Sequence, residues 1–132
     1  RRRQRAMSEE IAGQLAFDPG RLSFPVMTLS GGNQQKLVVG KWLHRRPRIL
    51  LMDEPTRGID VGAKAEMFAV MRKLTDDGMA IVMVSSELEE VVEIADRVLV
   101  LAKGRQVALL ERSEASLERV VNLAFGVEEA AA

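Results

Sequence analysis

Apolar residues in this chain fall into two patterns, spaced stripes and short unbroken runs. The stripes recur every three or four residues, as on a helix with one buried face. Ala63, Met67, Val70, Met71 and Leu74 follow that spacing, and Asp77-Gly78 supplies a stop. Leu88, Val91, Val92 and Ala95 repeat it, preceded by Ser86 and Glu89 at the spacing of a capping box. Leu117, Val120, Val121 and Ala124 form a last stripe, capped by Ser113 and ended by Gly126. Between Asn33 and His44, Val38 and Trp42 stand four residues apart beside Leu37 and Lys41, which predicts a helix with Trp42 in the core. Ser30 lies near its start, and His44-Arg45-Arg46 meet the negative end of its dipole before Pro47. Residues from about 6 to 16 read as a polar helix stopped by Asp18-Pro19-Gly20, with a loop to Met27.

The unbroken runs read as strands. Ile49 to Met52 shows no alternation and ends in two acids, which predicts a strand of a parallel sheet buried on both faces. Ala80 to Val84 is the next buried strand. Arg97 to Ala102 and Arg105 to Leu110, joined by Lys103-Gly104, predict a hairpin attached to that sheet. Strand, helix, strand, helix, strand is the alternation of an open α/β fold, whose ligand sites lie beyond the carboxyl ends of the strands. Asp53, Glu54 and Ser86 all fall there.

Composition narrows the class. With 132 residues, 47% hydrophobic and 29% charged, the chain is long enough for about one globular domain with a core. Nineteen basic residues balance nineteen acidic ones, so no net field favours a polyanion, and a nucleic-acid partner is not expected. Cysteine is absent and histidine occurs once, which excludes thiolate metal sites, cysteine nucleophiles and histidine-rich metal centres. The longest apolar runs, Ala80 to Val84 and Val98 to Ala102, fall far short of the about 20 residues that span a bilayer. Arg1-Arg2-Arg3-Gln4-Arg5 leads into no signal-like apolar stretch, and the chain reads as opening inside a longer protein. The tail from Glu128 to Ala132 reads as disordered.

Two clusters carry chemistry. A hydrophobic strand ending in Asp53-Glu54 sets side by side one carboxylate able to hold Mg²⁺ and another able to polarise water. Ser30-Gly31-Gly32 puts a hydroxyl and two residues without side chains at a helix N-terminus, where backbone N–H groups and the dipole attract a phosphate. Either alone is an ordinary feature, solvated acids in a turn or an N-cap on a glycine turn.

The longer strings resolve that ambiguity. LSGGNQQK, followed by ILLMDEPTRGIDVGAK with Asp53 seventeen residues after Lys36, resembles the ATP-binding cassette (ABC) ATPases over nearly the whole chain. The resembling parts are that family's signature sequence, Walker B strand and D-loop. Together with VSSELEEV, the spellings look like the second cassette of the fused ATPases that energise monosaccharide importers of the ribose, galactose and xylose kind. The resemblance implies a partial P-loop NTPase fold, an α/β architecture with a mostly parallel sheet flanked by helices. Residues 1–46 would end the helical subdomain, 47–126 would carry the catalytic core, and 127–132 a tail. It further implies ATP and Mg²⁺ as cofactors. Ser30, Gly31, Gly32 and Gln34 would belong to the signature that meets the γ-phosphate of ATP on an opposing cassette. Asp53 would hold Mg²⁺ through water, Glu54 would be the general base, and Asp60 the D-loop aspartate that communicates between sites.

Two departures qualify the resemblance. No GxxxxGK[ST] occurs, since Gly58 to Lys64 has glycines and a lysine at the wrong spacing, so the P-loop is expected upstream and the chain alone is expected to be inactive. Ser86 stands at the switch position where the family usually has histidine. A serine cannot carry charge or span the same reach, so its catalytic share is expected to be small beside its capping role. His44 and the Arg1 to Arg5 cluster read as solvated helix surface. The implied partners are a second cassette upstream in the same polypeptide, a transmembrane permease and, indirectly, a periplasmic sugar-binding protein, at the cytoplasmic face of a bacterial inner membrane. A non-transport ABC ATPase of translation or DNA repair, or an inert fragment, are the alternatives.

Overall fold

The computed structural model describes residues 2–126, and the expected disordered tail lies outside them. The described chain packs as two units that divide after Val84. In the first, helix α1 (Arg2–Gln14) is followed by single-turn helices at Pro19–Arg21 and Val26–Thr28, helix α2 (Gly31–Leu43), strand β1 (Ile49–Asp53), helix α3 (Val61–Asp76) and strand β2 (Ala80–Val84). The expected stop at Asp18-Pro19-Gly20 is seen in atomic detail: the Asp18 carboxylate accepts the Gly20 N–H at 2.9 Å. Residues 2–46 share this unit with the strand and helix that follow, because both α1 and α2 pack on α3.

α3 buries Met67, Val70, Met71 and Leu74, the stripe its spacing predicts, and ends at Asp77 with Gly78 at φ +91°. It crosses over between two parallel strands, with β1 paired to β2 from Ile49 opposite Ala80 to Asp53 opposite Val84. The strands are not buried on both faces as expected. Leu50 and Met52 are buried, whereas Ile49, Leu51, Val82 and Val84 are 53–75% exposed. An unbroken apolar run gives no cue about which face lacks a cover.

The buried face of α2 also differs from the expected one. Gly32, Lys36, Val39, Gly40 and Leu43 are buried, while Val38 and Trp42 are each 55% exposed. The reason is close packing at glycine. A Cβ on Gly40 would lie 2.9 Å from Leu15 Cδ1, and one on Gly32 would lie 2.6 Å from Ala63 Cβ, so neighbouring helices approach the backbone itself. Leu43, Ile11, Leu15 and Phe17 complete the apolar surroundings. Trp42 is left outside, with the Lys41 ammonium 5.6 Å from its ring. His44 is the exposed C-cap, and Arg5 pairs with Glu9 at 3.0 Å on the surface of α1.

The second unit holds helix α4 (Leu88–Ile94), strands β3 (Arg97–Ala102) and β4 (Arg105–Glu111), and helix α5 (Leu117–Phe125). β3 and β4 form the expected hairpin, but among the described residues it is an antiparallel sheet of its own two strands, not a hairpin paired into the β1–β2 sheet as expected. Its turn places Lys103 at φ +51° and Gly104 at φ +75°, the positive pair of a two-residue hairpin turn. Val98, Val100, Leu110, Val120 and Leu123 make the core, with Leu88, Val91, Val92 and Ala95 of the α4 stripe against it. Two expected caps are corrected. Ser116, not Ser113, caps α5, its hydroxyl accepting the Arg119 N–H at 3.2 Å. Glu87, not Ser86, is the N-cap of α4, and the Ser85 hydroxyl accepts the Glu87 N–H at 3.0 Å. Among the described residues, no helix is long and apolar enough to cross a membrane.

Candidate functional site

Parallel pairing brings the carboxyl ends of β1 and β2 together, with Asp53 opposite Val84. Alternation along β1 turns the exposed Asp53 toward the face of Ile49 and Leu51. Glu54 then leaves the strand at φ +48°, left-handed backbone that a residue with a side chain adopts at a cost. Hydrogen bonds hold it there: its N–H donates to Val84 O at 2.9 Å and its carbonyl accepts the Arg57 N–H at 3.2 Å. The half-buried Glu54 is thus fixed at the sheet edge by backbone bonds on both sides.

From Glu54 the chain turns through buried Pro55 and Thr56 to Asp60, the N-cap of α3. The Asp60 carboxylate accepts the Ala63 N–H at 2.9 Å and remains exposed. This is an ordinary cap, which places one acid beside the first turn of α3.

The start of α2 is not capped in that way. Ser30 occupies the N-cap position at φ −61°, ψ 156°, yet its hydroxyl makes no capping bond and instead accepts the Asn33 side-chain N–H at 3.0 Å. Gln34 donates its side-chain N–H to Leu29 O at 2.9 Å, pinning the entry to the helix. The first-turn N–H groups of α2 are therefore not taken up by the serine beside them, and Ser30 is exposed and oriented. The two signature glycines divide their work. Gly32 is buried against Ala63, and Gly31 is exposed, with an ideal Cβ 3.4 Å from Ile59 Cγ2 and 3.6 Å from Gly58 O. Gly31 thus lies against Gly58 and Ile59, in the turn that leads into the Asp60 cap. Ser86 is exposed in the second unit, two residues past the end of β2.

Sequence reasoning passed over Lys36 and Glu66. Lys36 is 3% exposed and donates to Glu66 Oε2 at 2.7 Å and to Ala16 O at 3.1 Å. Its position four residues after Gly32 and four before Gly40 was the available signal, because all three share one helix face.

The family model described as ABC transporter matches residues 3–57, which include the signature and the Asp53-Glu54 strand end. The ribose import ATP-binding protein RbsA of Rhodococcus jostii is 50% identical over 129 residues, 98% of this chain and 26% of that protein. The protein of the same name from Bacillus cereus is 55% identical over 103 residues, 78% of this chain and 21% of that protein. The chain resembles the ATP-binding cassette family over the residues that the family model matches, fewer than half of its own. It spans about a quarter of the length of the curated relatives it matches. An ATP-binding cassette of an ABC transporter in its ADP conformation matches with a TM-score of 0.79 at 23% identity, covering 92% of this chain and 49% of that one. A nucleotide-free ATP-binding cassette matches with a TM-score of 0.77 at 22% identity, covering 89% of this chain and 48% of that one. At such identity the two structures speak to the cassette fold alone, and that α/β fold is the class expected from the sequence.

Proposed function

We propose that this cassette segment works in the ATP-hydrolysing subunit of a bacterial monosaccharide importer. The observation that carries the proposal is the α2 N-terminus, whose serine hydroxyl is oriented by Asn33 rather than used as a cap. Exposed backbone N–H groups at a helix start attract an anion, and Gly31 leaves room for close approach of a phosphate. Ser30 and Gly31 would hold the γ-phosphate of an ATP bound to an opposing cassette, with Gly32 and Gln34 keeping the loop in shape. Asp60 would contact the same interface from the next helix.

Asp53 and Glu54 divide the remaining chemistry. Among the described residues no group of three or more His, Cys, Asp or Glu could by itself hold a metal. Mg²⁺, however, commonly takes one or two carboxylates with substrate phosphates and keeps several waters, so a lone exposed Asp53 suits an ion delivered with the nucleotide. When bound, that ion would neutralise charge on the phosphates. Glu54 would accept the proton of the attacking water, from a backbone position fixed by the Val84 and Arg57 bonds. Ser86 stands where the family usually has the switch histidine and lacks its charge, so its own share in turnover would be small.

Partners follow from the same reading: a second cassette, a transmembrane permease and a periplasmic sugar-binding protein, with the ATPase at the cytoplasmic face of the membrane. The names of the ribose import relatives support the monosaccharide class. The test is a chimera in which this chain replaces the matching segment of the Rhodococcus jostii protein. Restored ribose uptake and ATPase activity support the proposal. A chimera that folds and assembles yet hydrolyses no ATP contradicts it.

A further inference from the structure

We infer that Lys36 is a positioning residue, which with Glu66 locks the signature helix to the helix capped by Asp60. Lys36 sits six residues after the N-cap Ser30, and Glu66 six residues after the N-cap Asp60. Two points of contact therefore join the helices at different heights. Near the N-termini, Gly32 lies against Ala63 and Gly31 against Ile59. About 6 Å further along α2 and about 4.5 Å further along α3, the Lys36 ammonium meets the Glu66 carboxylate at 2.7 Å. The helices run side by side in the same direction, with Ser30 and Asp60 at the same end.

A single close contact leaves one helix free to roll and slide on the other, and a second, directional contact removes that freedom. Apolar packing alone would not, because it fixes no hydrogen-bond direction. Lys36 also donates to the carbonyl of Ala16, a residue held at φ +47° where the chain leaves α1, so one buried cation ties three segments. An aliphatic residue would fill the same volume without desolvating a charge. The buried ammonium is therefore explained by geometry rather than by stability.

The consequence for catalysis rests on the proposed roles of Ser30 and Asp60: the phosphate-facing serine and the interface aspartate keep one spacing through the cycle. The first test needs no nucleotide. The chain has no cysteine, so nitroxide labels at Met27→Cys and Val61→Cys, positions 88% and 83% exposed, report the spacing of the two helix starts by electron–electron distance measurement on the full chain. The expected result is one narrow distance for the parent and for Lys36→Arg, and a broadened or second distance for Lys36→Met and Glu66→Met. Should Lys36→Met fail to fold, Glu66→Met decides, because that side chain is 64% exposed and loses its acceptor oxygens without disturbing the core. An unchanged distance distribution in Glu66→Met overturns the inference.

The second test uses the chimera, where Lys36→Met should lower kcat for ATP about tenfold to a hundredfold with KM for ATP unchanged, as for a displaced catalytic group. Lys36→Arg should restore it. Broadened distances alongside a parent chimera without ATPase activity uphold the clamp and refute the functional reading. An active parent whose Lys36→Met keeps full kcat refutes the clamp's role.

Discussion

Gly32→Ala tests whether the second signature glycine serves helix packing. The added carbon would sit 2.6 Å from Ala63 Cβ, whereas two carbons in contact prefer about 3.5–4.0 Å, so α2 and α3 must separate by about 1 Å. Forcing an extra carbon into a packed contact costs about 1–3 kcal/mol. Replacing glycine by alanine inside a helix returns up to about 1 kcal/mol, and less in the first turn. The clash therefore wins, with a net loss of about 1–2 kcal/mol. Gly31→Ala meets nothing closer than 3.4 Å, and its change in stability should stay within about 0.5 kcal/mol. Urea denaturation of the full chain, followed by circular dichroism, measures both. Ala63→Gly removes the obstructing carbon, so adding it to Gly32→Ala should recover stability despite the helix cost of a new glycine. Equal losses from the two single alanines, or a double variant whose losses simply add, would refute the packing explanation.

Other consequences are as direct. Because Glu54 lies at φ +48°, Glu54→Gly should be more stable than Glu54→Ala by about 0.5–1 kcal/mol, the left-handed penalty less glycine's entropy cost; an alanine variant of equal or greater stability would show that no strain is stored there. Ser116→Ala should lose about 1 kcal/mol and fray α5 in hydrogen exchange, whereas Ser113→Ala should stay within about 0.5 kcal/mol; the opposite order would reinstate Ser113 as the cap. Leu51→Thr should weaken binding of an apolar fluorescent dye without lowering the melting temperature, since Leu51 is 75% exposed; undiminished dye binding would place the sticky surface elsewhere.

What the sequence disclosed and what it withheld follow from the range of each cue. Local chemistry was legible: Asp77-Gly78 and Gly126 as stops, Lys103-Gly104 as a hairpin turn and the α3 stripe all appear where the residues place them. Caps were less secure, because serines at 85, 86, 113 and 116 offer neighbouring choices and only packing selects one. The face of α2 was misread because Trp42 and Val38 carry more apolar weight than Gly32 and Gly40, while close helix approach makes the glycines the buried side. For the same reason the buried Lys36 on that face was passed over. The strand runs disclosed β1 and β2 but not that Ile49, Leu51, Val82 and Val84 stay uncovered, since an apolar run is identical whether or not a neighbour covers it. At the candidate site, the residue types at Asp53, Glu54 and Ser30 were readable. The left-handed backbone of Glu54 and the Asn33 bond to Ser30 were not, because both depend on how neighbouring segments fold back.

Whether Glu54 at the sheet edge activates water against ATP is decided by Glu54→Gln in the Rhodococcus jostii chimera with the matching base of the other cassette already removed. A single-turnover assay then reads this site alone. ATP affinity should stay essentially unchanged while hydrolysis falls at least about a hundredfold, the scale for losing a general base. Hydrolysis that continues at the parent rate in Glu54→Gln would contradict that role.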